Sequence, residues 1–145
     1  MLRAEILACP LESYAKLADE IVHARVEAVR VVQRGRALPM REVDLTILNA
    51  IKGESRSRLS VQVIGAQTPE RTVLAPDAPE LRPGEEVVLF LCYDRDSGTA
   101  GILGLSQGTY RVSEGPNGLV TVSGLHANQE GLGAFFARVT EEWVR

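Results

Sequence analysis

The chain has 145 residues, of which 45% are apolar and 24% charged, and its net charge is −3. That length supports one domain with a hydrophobic core of its own. The acidic balance speaks against a nucleic-acid module, which normally carries a basic surplus, and no run of about 18 apolar residues is present to span a membrane.

Residues 1–9 read as a lead-in. The stretch before Cys9 is too short for a secretory signal, and Glu5 falls where the apolar region of such a signal would lie. Ile6-Leu7-Ala8-Cys9 loosely matches a lipoprotein cleavage site but lacks the apolar run that should precede it. Leu11, Tyr14, Ala15 and Ala18 recur at helical spacing, which predicts a short helix over Pro10–Asp19 with Pro10 at its first turn.

A first strand follows at about 20–33. Val22, Ala24, Val26 and Ala28 alternate with His23, Arg25 and Glu27, giving one face in a core and one in water. Arg34-Gly35-Arg36 and Pro39 mark a turn. The second strand is Arg41–Ile51. Leu48 and Ala50 break its alternation, which predicts a bulge or a strong bend near Asn49. The third is Leu59–Ile64, with Leu59, Val61 and Val63 on one side. Gly65–Pro83 carries Pro69, Pro76, Pro79 and Pro83, and only Thr72-Val73-Leu74 within it resembles an element. A loop of that length in a compact domain is uncommon and often functional.

Pro83-Gly84-Glu85 turns the chain into a fourth strand, Glu86–Tyr93, whose apolar run on both faces predicts a central strand covered on both sides. Ile102–Leu105 and Gly108–Val112 read as a fifth strand or a broken hairpin, and Asn117-Gly118 as a tight turn before Leu119–Val122. The chain closes on an amphipathic helix over 128–143, beginning about Gln129, with Leu132, Phe135, Phe136, Val139 and Trp143 on its apolar face. The sum is a single mainly β domain: a five-stranded Greek-key barrel over 20–113 with a short N-terminal and an amphipathic C-terminal helix. The OB-fold is the commonest such architecture. An edge strand left open by the barrel would offer pairing to a second copy.

The motifs that usually carry chemistry read as structure. Gly104-Leu105-Ser106-Gln107-Gly108 matches the nucleophile-elbow pattern. That elbow needs a strand before it, a helix after it and a large α/β sheet beneath. Here a strand follows, so a glycine-lined bend is expected. His23 is expected to be solvated on the outer face of the first strand. Two histidines and two cysteines without short ligand spacing do not make a metal site, and no cofactor is called for. Glu85-Glu86 and Asp94/Asp96 read as solvated ends of the fourth strand. Arg25, Arg30, Arg34, Arg36 and Arg41 would suit a polyanion, but base stacking needs aromatic platforms, and the first three strands hold no Phe, Tyr or Trp. A non-enzymatic protein-binding domain is the reading that results.

Three stretches carry a resemblance. They are Cys9-Pro10 with Leu17–Val26, then Arg41–Ile51 closing on Lys52-Gly53, then Pro83-Gly84-Glu85-Glu86 leading into Val87–Leu91. Together they resemble the N-terminal domain of the tissue inhibitors of metalloproteinases, the netrin-like branch of OB-folds, and more closely its uncharacterised bacterial relatives. The similarity covers about residues 9–113. It implies a five-stranded barrel with flanking helices, export from the cytoplasm, and a protein partner that could be a zinc metalloprotease. In the animal inhibitors an N-terminal cysteine chelates the protease zinc through its free amine and carbonyl, held by a disulfide. By position Cys9 would carry that role, with Pro10 beside it and Cys92 as its clamp. Eight residues precede Cys9 in this sequence, so its nitrogen is an amide until processing exposes it. The contact surfaces expected from sequence are therefore the segment ending at Cys9 and Pro10, and the proline-rich loop with Pro69, Arg71 and Pro76.

The implied clamp is testable. Alkylation and non-reducing peptide mass spectrometry on protein from the native cell decide it: the inhibitor-type N-terminus requires a Cys9–Cys92 cross-linked peptide, and two alkylated thiols on an intact Met1 start would remove it.

Overall fold

The computed structural model describes residues 10–33, 38–54, 56–69, 72–73 and 77–144. In chain order these form α1 (Leu11–Leu17), β1 (Glu20–Val32), β2 (Met40–Lys52), β3 (Arg58–Ile64), β4 (Ala66–Gln67), β5 (Thr72–Val73), β6 (Glu86–Tyr93) and β7 (Ala100–Ile102). A 3-10 turn (Leu105–Gly108), β8 (Thr109–Glu114), β9 (Val120–Gly124), β10 (Ala127–Gly131) and α2 (Leu132–Val144) follow. Among the described residues no helix is long and apolar enough to cross a membrane.

Five strands close into a barrel in the order β1-β2-β3-β7-β6 and back to β1. Every pairing is antiparallel except β3 with β7, where Val61 faces Ala100 and Gln62 faces Gly101 in parallel. β8, β9 and β10 extend the sheet from β6 as an antiparallel meander. One edge of β6 is shared: β8 takes Glu86–Leu89 and β7 takes Leu91–Tyr93. The segments expected as a fifth strand or a broken hairpin therefore lie end to end along the same neighbour.

Irregularities in β1 and β2 fit the barrel's curvature. Opposite β1, Leu48 and Ile51 are each skipped in the register of β2, so bulges flank Asn49, where the sequence pattern places one. On β1 the skipped residue is Glu27. There β1 leaves β6, with which it pairs only over Glu20–Arg25, and continues with β2 alone to Val32.

Alternation along β6 divides the molecule into two cores. Val87, Leu89 and Leu91 point into the barrel, where they meet Val22, Ala24 and Val26 of β1, Val43 and Leu45 of β2, and Val61 and Val63 of β3. Val88 and Phe90 point the other way, into a second core roofed by α1 and α2. There a chain of rings runs Tyr14–Phe90–Tyr110–Phe135, with centroids 6.2, 5.7 and 4.9 Å apart, within the range in which tilted aromatic pairs attract. α2 presents Leu132, Phe135, Phe136, Val139 and Trp143 to this core, the face that its periodicity predicts.

Two sequence expectations need correction. His23 is not solvated. The first half of β1 turns its second face to the helices, so His23 is buried, its ring 5.9 Å from that of Phe136 and its Nε2 2.9 Å from Glu86 Oε1. The closing helix begins at Leu132, because Ala127–Gly131 pairs with β9 as a strand. Gln129 sits there with φ 51°, in the irregular stretch between the pairs made by Ala127 and Glu130.

Phe135 is fully buried at the end of the ring chain. Phe135→Ala should cost about 3–5 kcal/mol, read as a lower midpoint in urea unfolding.

Candidate functional site

The turn between β7 and β8 joins three parts of the molecule. Gly104 and Leu105 both take left-handed backbone, φ 70° and 54°. A bulky residue rarely does so, and such strain persists only where its surroundings enforce it. Leu103 N–H donates to Phe90 O of β6 at 2.8 Å. Ser106 N–H donates to Asp77 O in the long loop at 2.9 Å. The Tyr14 hydroxyl of α1 donates to the side-chain oxygen of Gln107, and the Thr109 hydroxyl donates to Leu105 O at 3.0 Å. Packing leaves no freedom at the glycines. A Cβ on Gly104 would lie 2.6 Å from the Tyr14 ring, and one on Gly108 only 2.0 Å from Leu103 O. The result is a rigid ridge with the Ser106 side chain exposed.

This ridge is the G-x-S-x-G stretch, and it is a bend between strands. Ser106 lies in a 3-10 turn followed by β8, without the helix that a nucleophile elbow requires.

Of the residues singled out from sequence, Pro10 is exposed and precedes α1, one helical turn before Tyr14. Pro69 is exposed beyond β4. Cys9, Arg71 and Pro76 lie outside the described residues, as does the Cys9–Cys92 pairing. The loop residue brought to the ridge is Asp77, which no sequence pattern indicated.

The long loop is more anchored than its prolines suggest. β4 and β5 pair within it. Leu81 is only 3% exposed and plugs the barrel core, with Ala78 packed against the same cluster. Arg41 Nε donates to Gly65 O at 2.9 Å. The Arg111 guanidinium donates to Glu80 O and pairs with Glu85 at 2.9 Å. The available signal was Leu81 itself, a lone aliphatic between Pro79 and Pro83.

Elsewhere charges are matched locally. Arg25 pairs with Glu27, and Arg30 with both Asp44 and Glu42, which pulls the Asp44 carboxyl below its usual range through the Arg30 and Ser60 hydrogen bonds. Glu85 and Glu86 are not free strand ends, since they hold Arg111 and His23. Cys92 is half-buried at the end of β6, and burial followed by the nearby Asp19 charge pushes its thiol up, away from the reactive thiolate. Among the described residues no three His, Cys, Asp or Glu side chains gather where they could hold a metal ion.

The stretches that carry the family resemblance have structural tasks. Lys52 Nζ caps α1 by donating to Ala15 O at 3.0 Å and Lys16 O at 3.1 Å. Gly53 is left-handed, φ 94°, and a Cβ there would strike Glu20 Cγ at 2.5 Å. Glu20 is itself buried, accepting from the Tyr93 hydroxyl and from Arg56 at 3.3 Å. Gly84 N–H donates to Val26 O at 2.8 Å and ties the start of β6 to β1.

The glycines of the ridge and of α2 should separate cleanly on substitution. Gly108→Ala forces a clash with backbone and should lower the melting temperature sharply. Gly133→Ala, in α2 with nothing within 4 Å, should stabilise by about 0.4–1 kcal/mol. Thermal melts of the two variants beside the parent check both signs. Against known families and curated proteins, the chain matches no family model and no curated sequence.

Proposed function

We propose that the chain is a non-enzymatic protein-binding module on an OB-type barrel, exported in its natural setting, with the ridge at Gly104–Gly108 as the centre of its contact surface. The observation that carries this reading is the convergence on one rigid turn of α1 through Tyr14, of the long loop through Asp77, and of β6 through Phe90. Recognition surfaces favour exposed loops positioned by a rigid scaffold, and preorganisation lowers the cost of ordering on binding. The OB-type assignment is supported by the five-strand closure and by the parallel β3–β7 contact.

A second reading, inhibition of a zinc metalloprotease, is favoured by the exposed Pro10 at the start of α1, the helix whose Tyr14 hydroxyl meets the ridge. It requires a form that starts at Cys9. Such a form should inhibit a zinc endopeptidase stoichiometrically and lose that inhibition on Cys9→Ser. Inhibition by neither form removes this reading and leaves the binding module standing.

The binding reading is tested by site-specific photo-crosslinking in the native cell. A photoreactive residue at position 106 should capture a discrete partner, competed by the unmodified chain. The same residue at position 119, exposed on the β8–β9 turn, should capture none. As a competitor the Ser106→Arg chain should be at least ~10-fold weaker than the unmodified chain while keeping its melting temperature. Equal labelling from both positions, or none from 106, overturns the ridge as the contact surface.

A further inference from the structure

We propose that the outer edge of β1 from Ala28 to Val32 pairs antiparallel with the same edge of a second copy of this chain. The edge is created by the Glu27 bulge. Val26 makes the last bonds on that side, donating to Glu85 O and accepting from Gly84 N–H, both at 2.8 Å. Beyond it β1 pairs with β2 on one side, and among the described residues no strand pairs with the other. Alternate backbone N–H and C=O groups along these five residues therefore face outward as a template for another strand.

Burial reports the same opening. Val29, Val43 and Val61 form one cross-strand row inside the barrel. Val43 and Val61 are 0% exposed, whereas Val29, on the open flank, is only partly covered and Val31 is 51% exposed. A neighbouring strand would complete the row.

The edge sequence fits itself. Ala28-Val29-Arg30-Val31-Val32, paired antiparallel about Arg30, sets Val29 opposite the second copy's Val31 and Ala28 opposite its Val32. Each is an apolar pair of the kind that stabilises adjacent strands. The only like-charge meeting is Arg30 with its counterpart, and each guanidinium is already held between Asp44 and Glu42 of its own β2. A twofold, isologous contact of this kind closes on itself and does not propagate. The edge also lacks the unpaired lysine or the proline that commonly blunts an exposed strand.

The test is sedimentation velocity on the full chain over a concentration series, together with hydrogen exchange. The mass should rise from one chain to two, and alternate amides between Ala28 and Val32 should slow as the dimer fills. Val31→Lys places a charge on an already exposed position, so the parent's circular-dichroism melt should be kept. It should raise the dissociation constant at least ~10-fold. A single-chain mass up to about 1 mM overturns the proposal. So does a dimer that forms without concentration-dependent protection of these amides, whatever Val31→Lys does.

Discussion

Everything in this molecule hangs on β6 having two apolar faces. Its odd-numbered side chains, Val87, Leu89 and Leu91, belong to the barrel, and Val88 and Phe90 belong to the helical layer. Fixing the strand for one core fixes it for the other, so the barrel and its helical cover are coupled through one backbone. The division also sorts residue types. Of the seven Phe, Tyr and Trp residues, all but Tyr93 pack in the core under the helices. The five-strand barrel is too narrow for a ring chain and is filled mainly by Val, Leu, Ile and Ala. The sparse aromatics are concentrated where two layers meet.

Much of the fold was legible because its signals were local. Glu86–Tyr93 reads as a doubly covered strand from six consecutive apolar residues. The disrupted alternation at Leu48 and Ala50 marks a bulged region, and the spacing in 132–143 gives the buried face of α2 correctly. What sequence misplaced depended on tertiary neighbours. His23 obeys the alternation of β1, but a face that points away from the barrel is wet only if nothing lies over it, and α2 does. Ala127–Gly131 has almost no β-formers. It becomes a strand because β9 offers an edge and because Arg138 holds Glu130 at 2.7 Å and the His126 carbonyl at 2.5 Å. Nothing in the spacing of such a segment stops a helix, so spacing alone sets the helix start too early.

The candidate site was legible in a different way. The pattern at 104–108 stood out as a catalytic motif, and its glycines and serine do matter, but for backbone geometry. The left-handed backbone at Gly104, and contacts closer than a Cβ allows at both Gly104 and Gly108, explain why glycine occurs there twice. The partners that make the turn rigid, Tyr14 and Asp77, are 93 residues away in one case and inside a proline-rich stretch in the other. No spacing rule links them. The stretches behind the family resemblance are similar: Lys52, Gly53 and Gly84 each serve a cap, a close approach or a strand junction, so they report on architecture more than on the partner.

The plug formed by Leu81 has a corollary for loop length. The loop between β3 and β6 is held at two levels. Before Ala78 its described residues are tied at the surface, by the β4–β5 pairing, by Arg41 at Gly65 and by Ser106 at Asp77. From Ala78 to Gly84 the chain is in register with the barrel interior at Leu81, with Arg111 at Glu80 and with Val26 at Gly84. One residue more or fewer there would draw the plug out of the mouth or shift β6. A change of length is thus least tolerated between Ala78 and Gly84, where the chain doubles as a piece of the barrel interior.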